Sequence, residues 1–284
     1  KYQTPEQILI KASDGASDFG NKFGQPLLTG SLLTLEFKED SGEVTAFDRV
    51  IMLAGGVGYA RAEYAKKKKA APGDKIVLLG GDNYRIGMAG SSASSVDTGV
   101  QSTQFELNAV QRANAEMQKR VANVIRFLAE HPENPIISIH DHGAGGHLNC
   151  FSELLEETGG KIFLSALPVG DPTLSPTEIL CNESQERMGL IVSAKDVGLV
   201  EAIARRERAP FYVVGEITGD GRIEVVADPA PMSLPAEVLL GSSPKITITD
   251  RSVAPKRKPV EVMISTAEEF RQHLLNVLSL EGVA

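Results

Sequence analysis

Two short stretches of this chain concentrate side chains that can do chemistry. The first, Ile139–Cys150 (IHDHGAGGHLNC), sets the carboxylate of Asp141 beside a glycine-rich turn. The run before it, Pro135–His140, reads as a central strand buried on both faces. Asp141 then falls just past the C-terminal end of a strand, where ligand sites in α/β sheets gather. The turn runs into a helix, whose first N–H groups and dipole favour anions. Mg²⁺ takes oxygen ligands and usually bridges one or two carboxylates to a phosphate. Two readings stay open on these residues alone: Asp141 in a metal and anion corner, or Asp141 capping a tight turn.

The second stretch is Asn182–Arg187 (NESQER), between a helix end and a strand. Glu183, Ser184 and Gln185 offer adjacent donors and acceptors suited to hydroxyl or amide recognition. Charge patterning alone makes the same stretch an exposed loop. A third segment, 87–99 (GMAGSSASSVDTG), is too small and polar to pack a core. It would let backbone N–H groups approach a ligand closely.

Other chemistries fit less well. His140 and His142 share a side if the strand continues that far. A zinc site, however, lacks a Cys or Glu at ligand spacing, and the turn breaks the geometry. His142 and His147 read first as surface residues and second as the lining of a polar pocket. Cys150 and Cys181 match neither a disulfide framework nor a zinc ribbon and read as small buried residues. The run Gly55-Gly56-Val57-Gly58 lacks the helix and the acidic residue of a dinucleotide site, and a Walker loop is absent. Gln111, taken alone, is an ordinary surface residue.

The elements that must hold these residues alternate. Residues 1–30 read as loop. Leu32–Phe37 and Thr45–Leu53 read as strands around the turn Asp40-Ser41-Gly42. Lys75–Leu79 reads as a short buried strand, and Val110–Leu128 as one long helix. Asn149–Thr158 reads as a second helix, Ser175–Cys181 as a short helix with a strong start signal, and Ala194–Arg206 as another. Met188–Ser193, Phe211–Gly215 and Arg222–Ala227 read as strands. This alternation predicts a layered α/β domain. Residues 228–262 have the composition of a linker, and Ala267–Leu280 reads as an amphipathic helix outside the main core.

Composition narrows the partners. The net charge is −8 and Trp is absent, which argues against a nucleic-acid surface. No apolar run approaches the roughly 20 residues of a membrane-spanning helix. A reducing cytoplasm is the simplest setting for the two cysteines. The chain begins at Lys1 in mid-pattern and reads as an internal piece of a longer protein.

The order of segments resembles the large, single-chain formylglycinamidine synthases of purine biosynthesis. The resemblance is carried by Phe19–Thr29 (FGNKFGQPLLT), Ile51–Gly58 (IMLAGGVG), Gly80–Ser95 (GGDNYRIGMAGSSASS), Asn108–Arg120 (NAVQRANAEMQKR), Ile139–Asn149, Ser175–Met188 (SPTEILCNESQERM) and Arg206–Gly215 (RERAPFYVVG). It implies a fold like the C-terminal domain of aminoimidazole ribonucleotide synthetase, a mixed sheet packed with helices. It implies that residues 1–58 end a preceding N-type domain, 59–245 form a C-type domain, and 246–284 lead to the next domain.

The implied activity is the ATP- and glutamine-dependent conversion of formylglycinamide ribonucleotide to its amidine. Carried over to this sequence, Asp141 would bind Mg²⁺, and Gln111, Glu183, Ser184 and Gln185 would contact the ribonucleotide. The loop 87–95 would face the substrate phosphate. The resemblance places the catalytic histidine before this chain, so no residue here is assigned as the catalytic base. The ATP site and the glutaminase would also lie elsewhere in the longer enzyme, and the isolated chain would not turn over. Other enzymes of the same superfamily, or a structural half of the fused synthase, are the alternatives.

Overall fold

The computed structural model describes residues 4–30, 36–46, 55–90, 93, 96, 100–109, 114–183, 186–228, 231–241, 245–249 and 263–280. Contacts divide the chain into two compact units, Tyr59–Pro244 and a second unit made of Lys1–Gly58 with Lys245–Ala284.

In the second unit, helix α1 (Pro5–Phe23) replaces the expected loop. Its start signals were legible. Thr4 and Gln7 form a capping box, Pro5 sits in the first turn, and Gly24 closes the helix in the left-handed conformation. Strands β1 (Glu36–Lys38) and β2 (Val44–Ala46) pair antiparallel, with Phe37 opposite Thr45. The rest of the two strands expected there lies outside the described residues. The C-terminal helix of the chain, Ala267–Leu278, is opened by a capping box between Thr266 and Glu269.

The unit Tyr59–Pro244 is built on a seven-stranded mixed sheet. Its strands are β3 (Lys75–Leu79), β4 (Ile136–Asp141), β5 (Gly160–Phe163), β6 (Met188–Val192), β7 (Phe211–Ile217), β8 (Arg222–Val226) and β9 (Met232–Pro235). The order across the sheet is β4-β6-β3-β7-β5-β8-β9. Neighbours are antiparallel except β5 and β8, which run parallel. Helices α2 (Thr103–Ala109), α3 (Ala115–Glu130), α4 (Gly146–Leu155), α5 (Pro176–Leu180), α6 (Val197–Glu207) and α7 (Ala236–Leu240) complete the unit.

The run KIVLL of β3 explains the layering. Ile76 and Leu78 face one core, with Phe151 and Leu155 of α4, Ile179 of α5 and Ala236 of α7. Val77 and Leu79 face the other, with Val121, Val124 and Leu128 of α3 and Val200 and Ile203 of α6. All four strand residues are fully buried. Burying such a side chain is worth about 1.5–3 kcal/mol. The strand therefore fixes both layers, and the expected α/β sandwich is what forms.

Four expectations change. The run 135–140, expected to be a central strand buried on both faces, forms β4 at the edge of the sheet beside β6, with buried and half-buried positions. The long helix starts at Ala115, capped by Asn114, whose side chain accepts from Met117 N at 3.1 Å. Val110 and Ala113, expected in its first turns, lie outside the described residues. The helix expected from Asn149 begins at Gly146, inside the glycine turn. Residues 232–240, read as linker, form β9 and α7, and β9 pairs with β8. Proline is compatible with that strand because it lies at the sheet edge. Among the described residues no helix is long and apolar enough to cross a membrane.

Candidate functional site

Strand β4 and its partner β6 place the two stretches together. Asp141, the last residue of β4, lies opposite Met188, the first of β6. The Asp141 side chain is 70% exposed. The ring Nδ1 of His140 stands 3.6 Å from Asp141 Oδ1, too far for a hydrogen bond, so that contact gives no hydrogen bond to a turn-capping role. His140 turns toward α4 instead. The ring Nδ1 lies 2.8 Å from the Asp141 carbonyl oxygen, and Nε2 lies 2.5 Å from Glu153 Oε2. Asn149 Nδ2 holds the other Glu153 oxygen at 2.8 Å. The backbone of Asp141 is thus braced while its carboxylate stays open.

The glycine turn behaves differently from its reading as a free anion cradle. Gly145 N, at the start of α4, donates to Glu183 Oε1 at 3.2 Å. A carboxylate at a helix N-terminus is favourably placed for the dipole. Glu183 is buried and its own N–H donates to Gly87 O at 3.0 Å. The loop at Gly87 therefore packs on Glu183. A Cβ added at Gly90 would stand 3.0 Å from Glu183 Oε2. Gly146, with φ of +60°, allows an even closer approach, since a Cβ there would meet Asn182 O at 2.3 Å. These glycines serve close packing around residues 182–187. The exposed-loop reading of NESQER fails for Asn182, Glu183 and Arg187, all buried. Gln111, Ser184 and Gln185 lie outside the described residues.

Behind Glu183 lies a buried polar network that the sequence reading did not identify. Arg187 is fully buried and is the largest such side chain. Its Nη1 donates to Asn83 Oδ1 and, at 2.8 Å, to His147 Nε2. Its Nη2 donates to Asn182 O and, at 2.9 Å, to Asn182 Oδ1. Asn182 Nδ2 in turn donates to Tyr84 O at 2.7 Å and Ile86 O at 2.5 Å. His147 Nδ1 lies 2.9 Å from His142 Nε2.

Both histidines are fully buried, which corrects their reading as surface residues. Burial, and then the nearby Arg187 charge, holds both rings well below the usual histidine range. Burial likewise pushes the Arg187 guanidinium down to about 10. The cue in sequence was the set of polar residues inside apolar surroundings: Asn83 after KIVLL, His142 and His147 flanking the turn, and Arg187 just before MGLIV. Cys150 is buried as expected, and burial pushes its thiol far up.

The donor set can be tested against Mg²⁺. Among the described residues no three His, Cys, Asp or Glu side chains are arranged to hold a metal ion. A closed protein cage is therefore not formed by these residues. One open carboxylate does fit Mg²⁺, which keeps several waters and binds through one or two carboxylates plus phosphate. Asp141 suits that shared arrangement.

Comparison with known proteins bears on the same region. Residues 71–228 match the family "AIR synthase related protein, C-terminal domain". Human phosphoribosylformylglycinamidine synthase is 36% identical over 303 aligned positions, covering the whole of this chain and 22% of that protein. The enzyme of the same name from Drosophila melanogaster is 41% identical over 239 positions, covering 82% of this chain and 18% of that protein. This chain spans about a fifth of the length of such relatives. A structure of Thermotoga maritima PurL complexed with FGAR superposes with a TM-score of 0.65 at 26% identity, over 91% of this chain and 42% of that one. The family match covers more than half of the chain and contains Asp141, Glu183 and the buried Arg187 network, so this chain belongs to the family of the AIR synthase related protein C-terminal domain.

Proposed function

We propose that the chain is part of a phosphoribosylformylglycinamidine synthase and supplies ribonucleotide and metal contacts to it. The observation that carries this reading is the pairing of Asp141 and Met188 at one end of β4 and β6. It sets an open carboxylate beside the NESQER corner, whose Glu183 is tied to the same glycine turn. The FGAR-bound relative and the name shared by the curated relatives support it.

In this proposal Asp141 would hold Mg²⁺ through its exposed carboxylate. Gln111, Glu183, Ser184 and Gln185 bind formylglycinamide ribonucleotide. A bound Mg²⁺ would neutralise phosphate charge near the reacting amide. The protein groups contribute orientation and fixed charge, with nothing to reorganise at the moment of reaction. ATP would be used by the full enzyme, as a Thermotoga maritima PurL structure complexed with ATP suggests. Partner domains, including a glutaminase that releases ammonia from glutamine, belong to the same proposal. So does a cytoplasmic setting, although an Arabidopsis thaliana relative is named as chloroplastic or mitochondrial.

The experiment is a calorimetric titration of formylglycinamide ribonucleotide into the chain, with and without Mg²⁺. Saturable binding that strengthens with Mg²⁺ and disappears in Asp141→Ala and Gln185→Ala is the expected result. An absence of saturable binding, or binding indifferent to both substitutions, would overturn the proposal that this chain carries those contacts.

A further inference from the structure

We infer that Arg187 is a positioning residue for this site, acting on Glu183 through Asn182 and on the glycine turn through His147. The hydrogen-bond ring itself stands on the structure alone. Only the ligand that Glu183 touches rests on the proposed function.

Arg187 reaches three separate segments. Asn83 follows β3, His147 lies in the first turn of α4, and Asn182 immediately precedes Glu183. From Asn182 the chain leads to Glu183, which accepts from Gly145 N at the start of α4. His147 lies on the same helix turn. Two routes from one guanidinium therefore converge on α4, and the loop closes into a ring. Asn182 also fastens the 84–86 segment to this ring through its Nδ2.

Only a planar fork can serve both routes. The guanidinium presents rigid donors in fixed directions, while a lysine ammonium is a point charge on a flexible stem. A buried cation is also a poor source of net stability compared with apolar residues of similar volume. Arg187 even leaves its Nε without a hydrogen-bond partner among the described residues. A buried donor left unpaired is a net cost to the folded state. What the guanidinium supplies is geometry: it fixes the Glu183 carboxylate relative to α4 and the turn that begins at Asp141.

The test is amide exchange on the ¹⁵N-labelled chain, read at Gly145 and, as an internal reference, at Leu78 in the centre of β3. In the wild type the Gly145 amide is protected by its bond to Glu183. In Arg187→Lys the Gly145 exchange rate rises by about tenfold or more while Leu78 keeps its protection, the signature of a local opening. Asn83→Ser, which removes one anchor and leaves the cation, gives a smaller rise in the same place and serves if the lysine variant does not fold. Unchanged Gly145 protection in a folded Arg187→Lys chain would overturn the inference. So would a loss shared equally by Gly145 and Leu78 in both variants, which marks a purely structural role. Ribonucleotide titration separates the two ideas. A wild type that does not bind counts against the proposed function, while the exchange data still decide the positioning role. If the wild type binds, Arg187→Lys weakens binding about tenfold, the scale of a tenfold change in an equilibrium constant for 1.4 kcal/mol.

Discussion

His147 Nε2 stands 2.8 Å from Arg187 Nη1, and a guanidinium has only protons to offer, so the imidazole must accept there. That one contact orders the rest of the chain of rings. With Nε2 accepting, a neutral His147 carries its proton on Nδ1 and donates to His142 Nε2 at 2.9 Å. His142 then carries its proton on Nδ1, a buried atom without a hydrogen-bond partner among the described residues. Neither ring can take a second proton without confronting either the Arg187 charge or its neighbour's ring.

This arrangement makes stability depend on pH. Burial first, and the Arg187 charge second, depress the folded-state affinity of His147 for a proton. The unfolded chain has no such penalty and protonates near the ordinary value of about 6.5. Below that value the unfolded state binds more protons than the folded state, so stability falls as pH falls. The contribution is fully present above pH of about 6.5 and is lost progressively on acidification toward the lower folded value. Thermal unfolding measured from pH 8 to pH 5, a range set about the histidine value, should show a falling Tm below the midpoint. His147→Gln should flatten that dependence. A Tm independent of pH across the window would contradict the buried neutral pair.

Replacing Arg187 by Met removes the donors and keeps an apolar stem. Asn83 Oδ1 and Asn182 Oδ1 lose their bonds to Arg187, and His147 Nε2 keeps only the contact with Asn83 Nδ2 at 3.1 Å. Leaving such neutral buried acceptors unsatisfied costs about 1–3 kcal/mol. Urea unfolding of Arg187→Met should show a loss of that size, with an unchanged m-value. A loss under about 1 kcal/mol, the range of an exposed pair, would mean the network adapts.

How much of this was legible depended on the kind of signal. KIVLL was legible as a buried strand, because a continuous apolar run needs cover on both faces, and it lies between two cores; the run 135–140, read as central on the same grounds, forms the edge strand β4. Helix α1 was equally available through Thr4, Pro5 and Gln7, but its exposed apolar residues Leu9, Ile10 and Phe19 gave no clear buried stripe. The strand β9 was masked by prolines that an edge position tolerates. The position of Asp141 at a strand end was legible because it depends on one strand alone. Arg187 was not, because two of its three partner residues, Asn83 and His147, lie 104 and 40 positions away in the chain and only Asn182 is near. Local charge patterning sees an arginine beside glutamates and calls it solvated. The glycines misled in the same way, since flexibility in sequence was close packing in space.

That last distinction separates two glycines that share a left-handed backbone. Gly146 has φ of +60° and would set a Cβ 2.3 Å from Asn182 O, while Gly221 has φ of +70° and nothing within 4 Å. A left-handed backbone costs an L-residue about 1–2 kcal/mol in either place. Gly221→Ala should therefore lose about that much and no more. Gly146→Ala must also push residue 182 aside, so its loss should clearly exceed that of Gly221→Ala. Chemical unfolding of the two variants side by side decides it, and equal losses would show that the 182–187 corner yields freely.

Asp141, the proposed metal contact, offers the opposite case, an exposed residue whose removal should leave the fold alone. Its side chain is 70% exposed, and His140 Nδ1, 3.6 Å from Asp141 Oδ1, is too far for a hydrogen bond. The backbone contact from His140 is to the Asp141 carbonyl oxygen, which any residue would keep. Substitutions at such positions usually change stability by less than about 0.5 kcal/mol. Asp141→Asn should accordingly unfold at the wild-type urea midpoint while losing any Mg²⁺-dependent gain in ribonucleotide binding. The amide keeps the shape and removes the charge that a hard cation needs. A stability loss above about 1 kcal/mol, more than an exposed site normally gives, would restore the turn-capping role. Unchanged Mg²⁺ dependence would move the metal contact to another residue.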